Sequence, residues 1–220
     1  MNKETFIKAI KEARENNKKR NFSQTFELII NLKDLDLKKT DNQIETWVQI
    51  PHSKGRPTKI GCLIGPELKE AATGNCDTII MHDDFPIYAK DKKKTKKLAD
   101  SHDFFIGQAN IMPDIAKSFG RILGTRGKMP NPKAGCVVPP NANIKTLVEK
   151  LKKTIKLKAK TQPTIKCTVG KEDMKDEEIA ENIATVYNHV IHALPKEKNN
   201  IKNIIIKLTM SKPIKITEKK

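Results

Sequence analysis

At 220 residues the chain is long enough to bury one sizeable core and a second small one, and 37% hydrophobic with 31% charged residues is the composition of a folded protein, not of a disordered tail. Lys and Arg number 43 against 26 Asp and Glu, a net charge of +17 that points to a polyanionic partner. Apolar runs such as Ile204 to Ile206 fall far short of the roughly 18 residues of a membrane span, so a soluble protein without a membrane partner is expected.

The N-terminal residues Met1 to Thr5 carry no apolar stretch or small-residue cleavage site, so no export signal is expected. Lys3 to Asn17 sets Phe6, Ile10 and Ala13 on one face at i, i+4, i+7, the pattern of an amphipathic helix. From Phe22 to Leu32 the period changes to two: Phe26, Leu28, Ile30 and Leu32 point one way and Thr25, Glu27, Ile29 and Asn31 the other, which predicts a strand with one wet face. Ile44 to Ile50 alternates likewise until Pro51-His52-Ser53-Lys54-Gly55 stops it. Ile60 to Ile64, Thr78 to Met81, Phe104 to Gly107 and Val137-Val138 are short apolar runs, expected as strands buried on both faces. Helix-like stretches accompany them at Glu67 to Ala72, Tyr88 to Ser101, Pro113 to Phe119 and Ile144 to Lys153, an alternation that predicts a parallel, doubly wound sheet. The half-wet pattern returns at Thr164 to Val169 and at Ile201 to Met210, on either side of a helix from Asp176 to His192.

Half-wet strands at both ends around this block predict an α/β protein of two domains. A split α+β domain is built from both termini, 1–52 and 154–220, and a Rossmann-like doubly wound α/β domain is inserted at 53–153. The two crossings near Ser53 and Thr154 would form a hinge. Cys62, Cys76, Cys136 and Cys167 form no C-x-x-C pair and no Cys/His cluster, so no metal is expected. They read as small buried thiols of a reducing, cytoplasmic compartment, with Cys136 in a loop sequence open to exposure. His189 and His192, spaced i, i+3 without an acidic or thiol partner, are not expected to hold a metal, and His189 reads as helix surface or the edge of the core.

The most unusual stretch runs from Gly120 to Gly135. Gly120, Gly124, Gly127 and Gly135, with Pro130 and Pro132, make a poor regular element but a good basic loop, since glycines let backbone N–H groups approach an anion and Arg121, Arg126, Lys128 and Lys133 supply charge. A P-loop would need Gly where Ile122 stands and a hydroxyl residue where Met129 stands, and a dinucleotide turn lacks its first glycine; a plain surface loop is the other reading. With no G-x-S-x-G and no H-E-x-x-H, neither catalytic residues nor a cofactor is expected. The rival class is a nucleotide-dependent RNA-modifying enzyme on an α/β scaffold.

Leu123-Gly124-Thr125-Arg126-Gly127-Lys128-Met129-Pro130-Asn131-Pro132-Lys133-Ala134-Gly135 resembles the signature of the ribosomal protein L1 family, the universal uL1 family, in its archaeal type. Arg20 to Glu27, Ile50-Pro51-His52, His102-Asp103-Phe104-Phe105, Pro140 to Ile144, Val169-Gly170-Lys171 and Leu208-Thr209-Met210 also stand as family positions in family order, so the resemblance covers nearly the whole chain. It implies a split and an inserted domain, and a structural constituent of the large ribosomal subunit. Such a protein binds 23S-type rRNA at the mobile L1 stalk among other components of the ribosome. The resemblance further implies contact with exit-site tRNA that assists its release, and repression of translation through its own mRNA.

The resemblance places rRNA contacts on Phe22, Thr25, Glu27, Thr209 and Met210, with Gly170 and Lys171 beside them. The residues themselves put Thr25, Glu27, Lys166, Thr168, Lys207 and Thr209 on the polar faces of half-wet strands, where they could read 2′-OH and phosphate or simply be solvated. The lysine run Lys90 to Lys97 reads as a solvated helix face that adds nonspecific affinity. Three positions depart from the family pattern: Ser211 and Ser53 stand where the family has Gly, and Thr125 where it has Pro. Ser211 is expected to weaken RNA affinity or alter the backbone, and Ser53 to alter the hinge.

Overall fold

The computed structural model describes residues 2–18, 20–39 and 42–217; Met1, part of the N-terminal stretch read above, lies outside them. Among these residues the elements are α1 (Lys3–Glu15), β1 (Thr25–Leu32), β2 (Ile44–Gln49), β3 (Ile60–Ile64), α2 (Lys69–Ala72), β4 (Thr78–Met81), α3 (Phe85–Lys90), α4 (Lys92–Ser101) and β5 (Phe104–Gln108). They continue with α5 (Met112–Thr125), β6 (Val137–Val138), α6 (Ile144–Lys152), β7 (Thr154–Ala159), β8 (Thr164–Lys171), α7 (Asp176–Ala193), β9 (Ile201–Leu208) and β10 (Ile214–Ile216). The chain divides into two compact units, one made from its two ends, up to Arg56 and from Lys153 onward, the other from Pro57–Lys152.

In the split unit the period-two residues do what their spacing dictates. β1 lies between β8 and β9 in an antiparallel sheet of order β10-β9-β1-β8. One face, with Phe26, Leu28, Ile30, Ile165, Val169, Ile204, Ile206 and Leu208, is buried in the same core as Phe6 and Ile10 of α1 and Ile179, Ile183, Val186 and Val190 of α7. Each such side chain contributes about 1.5–3 kcal/mol by leaving water. Phe6 and Tyr187 meet edge to face with ring centroids 6.0 Å apart. The other face, with Thr25, Glu27, Ile29 and Asn31, is half-buried. Beside this sheet β2 and β7 pair antiparallel from Ile44 opposite Ala159 to Gln49 opposite Thr154.

In the inserted unit β4-β3-β5-β6 are all parallel. Ile60, Cys62, Ile64 and Ile106 pack with Leu68, Ala72, Ile144, Val148 and Leu151, while Leu63, Ile80 and Phe105 pack with Phe85, Leu98, Ile115, Phe119 and Leu123. Two separate cores on alternate strand residues are the signature of helices on both faces, so this unit is doubly wound.

Several elements differ from expectation. β7 and β10 are additional strands. Thr78–Met81 and Val137–Val138 form the edges of their sheet, so they are only partly buried. The helix expected over Tyr88 to Ser101 is two helices broken at Asp91, whose carboxylate accepts hydrogen bonds from the N–H groups of Lys93 (2.9 Å) and Lys94 (3.0 Å). Residues 120–125 are not loop: Phe119 and Leu123, both fully buried, extend the apolar stripe of Ile115 and carry α5 through the glycines. Cys136 is buried rather than exposed, and burial pushes its thiol up to about 11. Cys62 and Cys76 are not free thiols but a disulfide, because Cys76 leads into β4 beside β3 and the Cα atoms stand 6.4 Å apart.

Candidate nucleic-acid interface

β1 begins where β8 and β9 end: Thr25 stands opposite Lys171 and Phe26 opposite Leu208. The chain entering β1 and the turns leaving β8 and β9 are therefore neighbours, and one fully buried side chain ties them together. Gln24 Nε2 donates to Asn17 Oδ1 (3.0 Å), its Oε1 accepts from Met210 N–H (3.0 Å), and its backbone N–H donates to Glu172 Oε2 (3.2 Å). Arg14 fixes the same corner from α1, donating to Asp176 Oδ1 (2.8 Å) and to the carbonyls of Glu172 and Met174 (both 2.6 Å) while lying 5.2 Å from the centre of the Phe26 ring. The Thr209 hydroxyl donates to Thr25 O (3.3 Å) and accepts from Thr25 N–H (3.2 Å).

Ser211 Oγ accepts from Leu208 N–H (2.8 Å), and Ser211 N–H donates to Leu208 O (3.0 Å), so the serine closes the turn after β9. Among the described residues the non-glycine positive φ angles fall at Asp34 and Glu197, so the turn at Ser211 does not ask for glycine's freedom. With its loops fixed, this end presents Phe22 (52% exposed) and Met210 (59%), two of the three large hydrophobic side chains that stand exposed among the described residues.

Behind them the half-buried face of the sheet offers hydrogen-bonding groups in rows. Glu27 stands between Lys207 and Thr168, with Lys207 Nζ 3.8 Å from its carboxylate. Lys166 is opposite Ile29 in the next row. In the last, Asn31 Nδ2 donates to Asn203 Oδ1 (2.7 Å) and Asn31 Oδ1 accepts from the Thr164 hydroxyl (3.1 Å). At this far end Lys156, Lys158, Lys160 and Lys166 line a pocket with Gln162 and Thr164. Hydrogen bonds from Lys156 and Lys160 hold the Glu45 carboxyl down to about 2.

The structure thus brings together Phe22, Thr25, Glu27, Thr168, Gly170, Lys171, Lys207, Thr209, Met210 and Ser211, with Lys166 one row away. Gly170 is buried and presents nothing outward: a Cβ there would lie 2.9 Å from Ile179 Cγ1, so the glycine lets α7 close on β8. No sequence signal marks Gln24, Arg14 or Glu172 as the residues that set this end. Arg121, Arg126, Lys128 and Lys133 belong to the other unit and do not form one loop. Arg121 lies exposed on α5 and Lys133 in an exposed turn, whereas Arg126 Nε donates to Asp100 (2.8 Å) and Lys128 Nζ donates to the carbonyls of Ala99 (2.6 Å) and His102 (2.7 Å) at the end of α4. The Arg126 bond draws the Asp100 carboxyl below its ordinary range.

Doubly wound sheets bind nucleotides outside the carboxyl ends of the strands where their order reverses, which here is between β3 and β5. In this chain that place holds the buried side chain of Gln108, which accepts from Gly65 N–H (2.8 Å) and donates to Glu67 (2.7 Å). Among the described residues no group of three or more His, Cys, Asp or Glu could hold a metal, and no helix is long and apolar enough to cross a membrane.

Residues 10–212 match the family model of the ribosomal protein L1p/L10e family. The chain is 43% identical to the large ribosomal subunit protein uL1 of Methanocaldococcus jannaschii over 220 residues, 100% of this chain and 98% of that one. It is 43% identical to the uL1 protein of Methanothermococcus thermolithotrophicus over 216 residues (98% and 99% of the two chains) and 44% identical to that of Nanoarchaeum equitans over 214 residues (96% and 98%).

Proposed function

The chain belongs to the ribosomal protein L1p/L10e family, and is a ribosomal protein and not an enzyme; on that premise we propose that it binds large-subunit rRNA at the L1 stalk through the Phe22–Met210 end of its antiparallel sheet. The observation that carries this reading is the exposure of Phe22 and Met210 beside a sheet face of hydroxyls, amides and ions. Phe22 and Met210 pack on sugar or base, and Glu27 accepts from a 2′-OH or a base N–H. Thr25, Thr168 and Thr209 add hydroxyl contacts, and Lys166, Lys171 and Lys207 hold phosphate. Gly170 and Ser211 shape the backbone around them, while Arg121 and Lys133, with Arg126 and Lys128, raise the positive potential of the inserted unit.

The protein would repress translation by binding its own mRNA through the same end, since one surface that reads two RNAs must find the same contacts in both. Exit-site tRNA, whose release the stalk assists, would meet the remaining cationic surface. The experiment is crosslinking of the full chain in ribosomes followed by sequencing of the attached RNA. Reads are expected in the stalk region of large-subunit rRNA, and reads elsewhere would overturn the assignment. Phe22→Ala and Met210→Ala should each weaken binding to a stalk rRNA fragment about tenfold, the size of one lost stacking contact, without changing binding to an unrelated hairpin.

A further inference from the structure

The inserted unit carries a groove to which the reading above assigns positive potential but no defined ligand. It is formed by α3, α4 and α5, and Lys92 and Lys96 of α4 line it together with Lys117 and Arg121 of α5, with Tyr88 and Ser118 beside them. Its lining among the described residues holds no carboxylate. Lys117 is loosely tied to Asp114 at 3.7 Å, with its own side chain 80% exposed; Lys92, Lys96 and Arg121 make no ion pair among the described residues, although the Asp100 carboxylate that holds Arg126, another lining residue, also attracts Lys96. Facing rows of cations repel one another, and an anion from outside relieves them.

The spacing says which anion. Lys92 to Lys96 and Lys117 to Arg121 are both i, i+4 steps, about 6 Å along a helix axis, a repeat comparable to that of successive phosphates on a nucleic-acid strand.

We propose that the groove between α4 and α5 is a second RNA-binding site, in which Lys92, Lys96, Lys117 and Arg121 hold the phosphodiester backbone of a single-stranded segment without regard to base sequence. The site does not depend on the sheet end described above. An acidic peptide is the less suited occupant, because its carboxylates ride on flexible side chains and do not need two evenly spaced rows.

The test uses the full chain in three forms: the parent, Lys92→Gln/Lys96→Gln/Arg121→Gln, and a charge-matched control, Lys59→Gln/Lys145→Gln/Lys152→Gln, whose sites are exposed on the same unit. Binding of a labelled oligouridylate is followed by anisotropy across a salt series, with thermal melts of all three. The groove variant should melt like the parent, bind about tenfold more weakly and show a log–log salt slope shallower by about 2, as expected for three lost phosphate contacts on a single strand. The control should stay within about twofold of the parent. An oligonucleotide carrying 4-thiouridine should crosslink the parent within residues 88–96 and 117–126, a readout that needs no variant to fold.

Equal losses in groove variant and control would reduce the effect to net charge and overturn the site, as would crosslinks confined to the split unit. Polyglutamate displacing the oligonucleotide as well as unlabelled oligonucleotide does would overturn it in favour of an acidic protein partner. Titration of the stalk fragment with Phe22→Ala runs in parallel, so failure of the groove and failure of the sheet-end interface are read separately.

Discussion

Because the Thr209 hydroxyl donates to Thr25 O and accepts from Thr25 N–H, Thr209→Val removes a contact of the fold as well as a group offered to RNA. Urea melts should show it less stable than the parent by about 1–3 kcal/mol, the cost of partly buried backbone groups left unpaired. Phe22→Ala and Met210→Ala touch exposed side chains and should stay within about 0.5 kcal/mol. If those two lose stability as Thr209→Val does, their weaker RNA binding reports damage to the fold rather than a lost contact. A second residue contributes to the acid limb of stability. Lys156 and Lys160 lower the Glu45 carboxyl from 4.5 to about 2 in the folded chain, so the ionised form stabilises the fold above about pH 4.5, and that contribution is lost as the pH falls toward 2. Melts across this window should show the parent losing stability more steeply than Glu45→Gln, with the two curves converging at the acid end. Parallel curves would mean that the lysines release Glu45 on their own.

Elements differ in how openly the sequence announces them. β1, β8 and β9 are legible because every second residue is apolar over the length of a strand: Phe26, Leu28, Ile30 and Leu32; Ile165, Cys167 and Val169; Ile204, Ile206 and Leu208. β7 alternates too, with Ile155, Leu157 and Ala159 against Lys156 and Lys158, but it follows α6 with no glycine or proline between them and merges into the helical pattern. β10 has three residues, too few for a period to show. α5 is hidden by its own composition, since Gly120 and Gly124 suggest a loop until Leu123 is seen fully buried. At the candidate interface the strand faces could be read from alternation, whereas the Gln24 and Arg14 ties join segments far apart in the chain and leave no local pattern. The Cys62–Cys76 link is illegible for the same reason, because it depends on β3 and β4 being neighbours. Its consequence can be measured. Cys136 and Cys167 are buried, so the native chain should react with no thiol reagent, the denatured chain should show two thiols, and the denatured and reduced chain all four. Cys76→Ser should destabilise the inserted unit by about 3 kcal/mol through the loop it reopens, and four thiols without reduction would rule the link out.

At the scale of the whole molecule, β1 sits between β8 and β9, and β2 pairs with β7 across the entire inserted unit. During synthesis, residues 57–152 emerge as one contiguous stretch and can complete their sheet, since domains fold as units while the chain grows. β1 has no such freedom: both its neighbours are made only after that stretch, and Phe26, Leu28 and Ile30 wait without a core. Chains stalled once Lys160 has emerged should give a protease-resistant fragment close to 57–152 while residues 1–56 are digested, and β1 should become protected only after Leu208 is free. Early protection of β1 would mean that it finds a temporary partner. The newborn protein therefore spends most of its elongation time with its first strand unclaimed, both of its edges open to any other strand until β8 and β9 have been made.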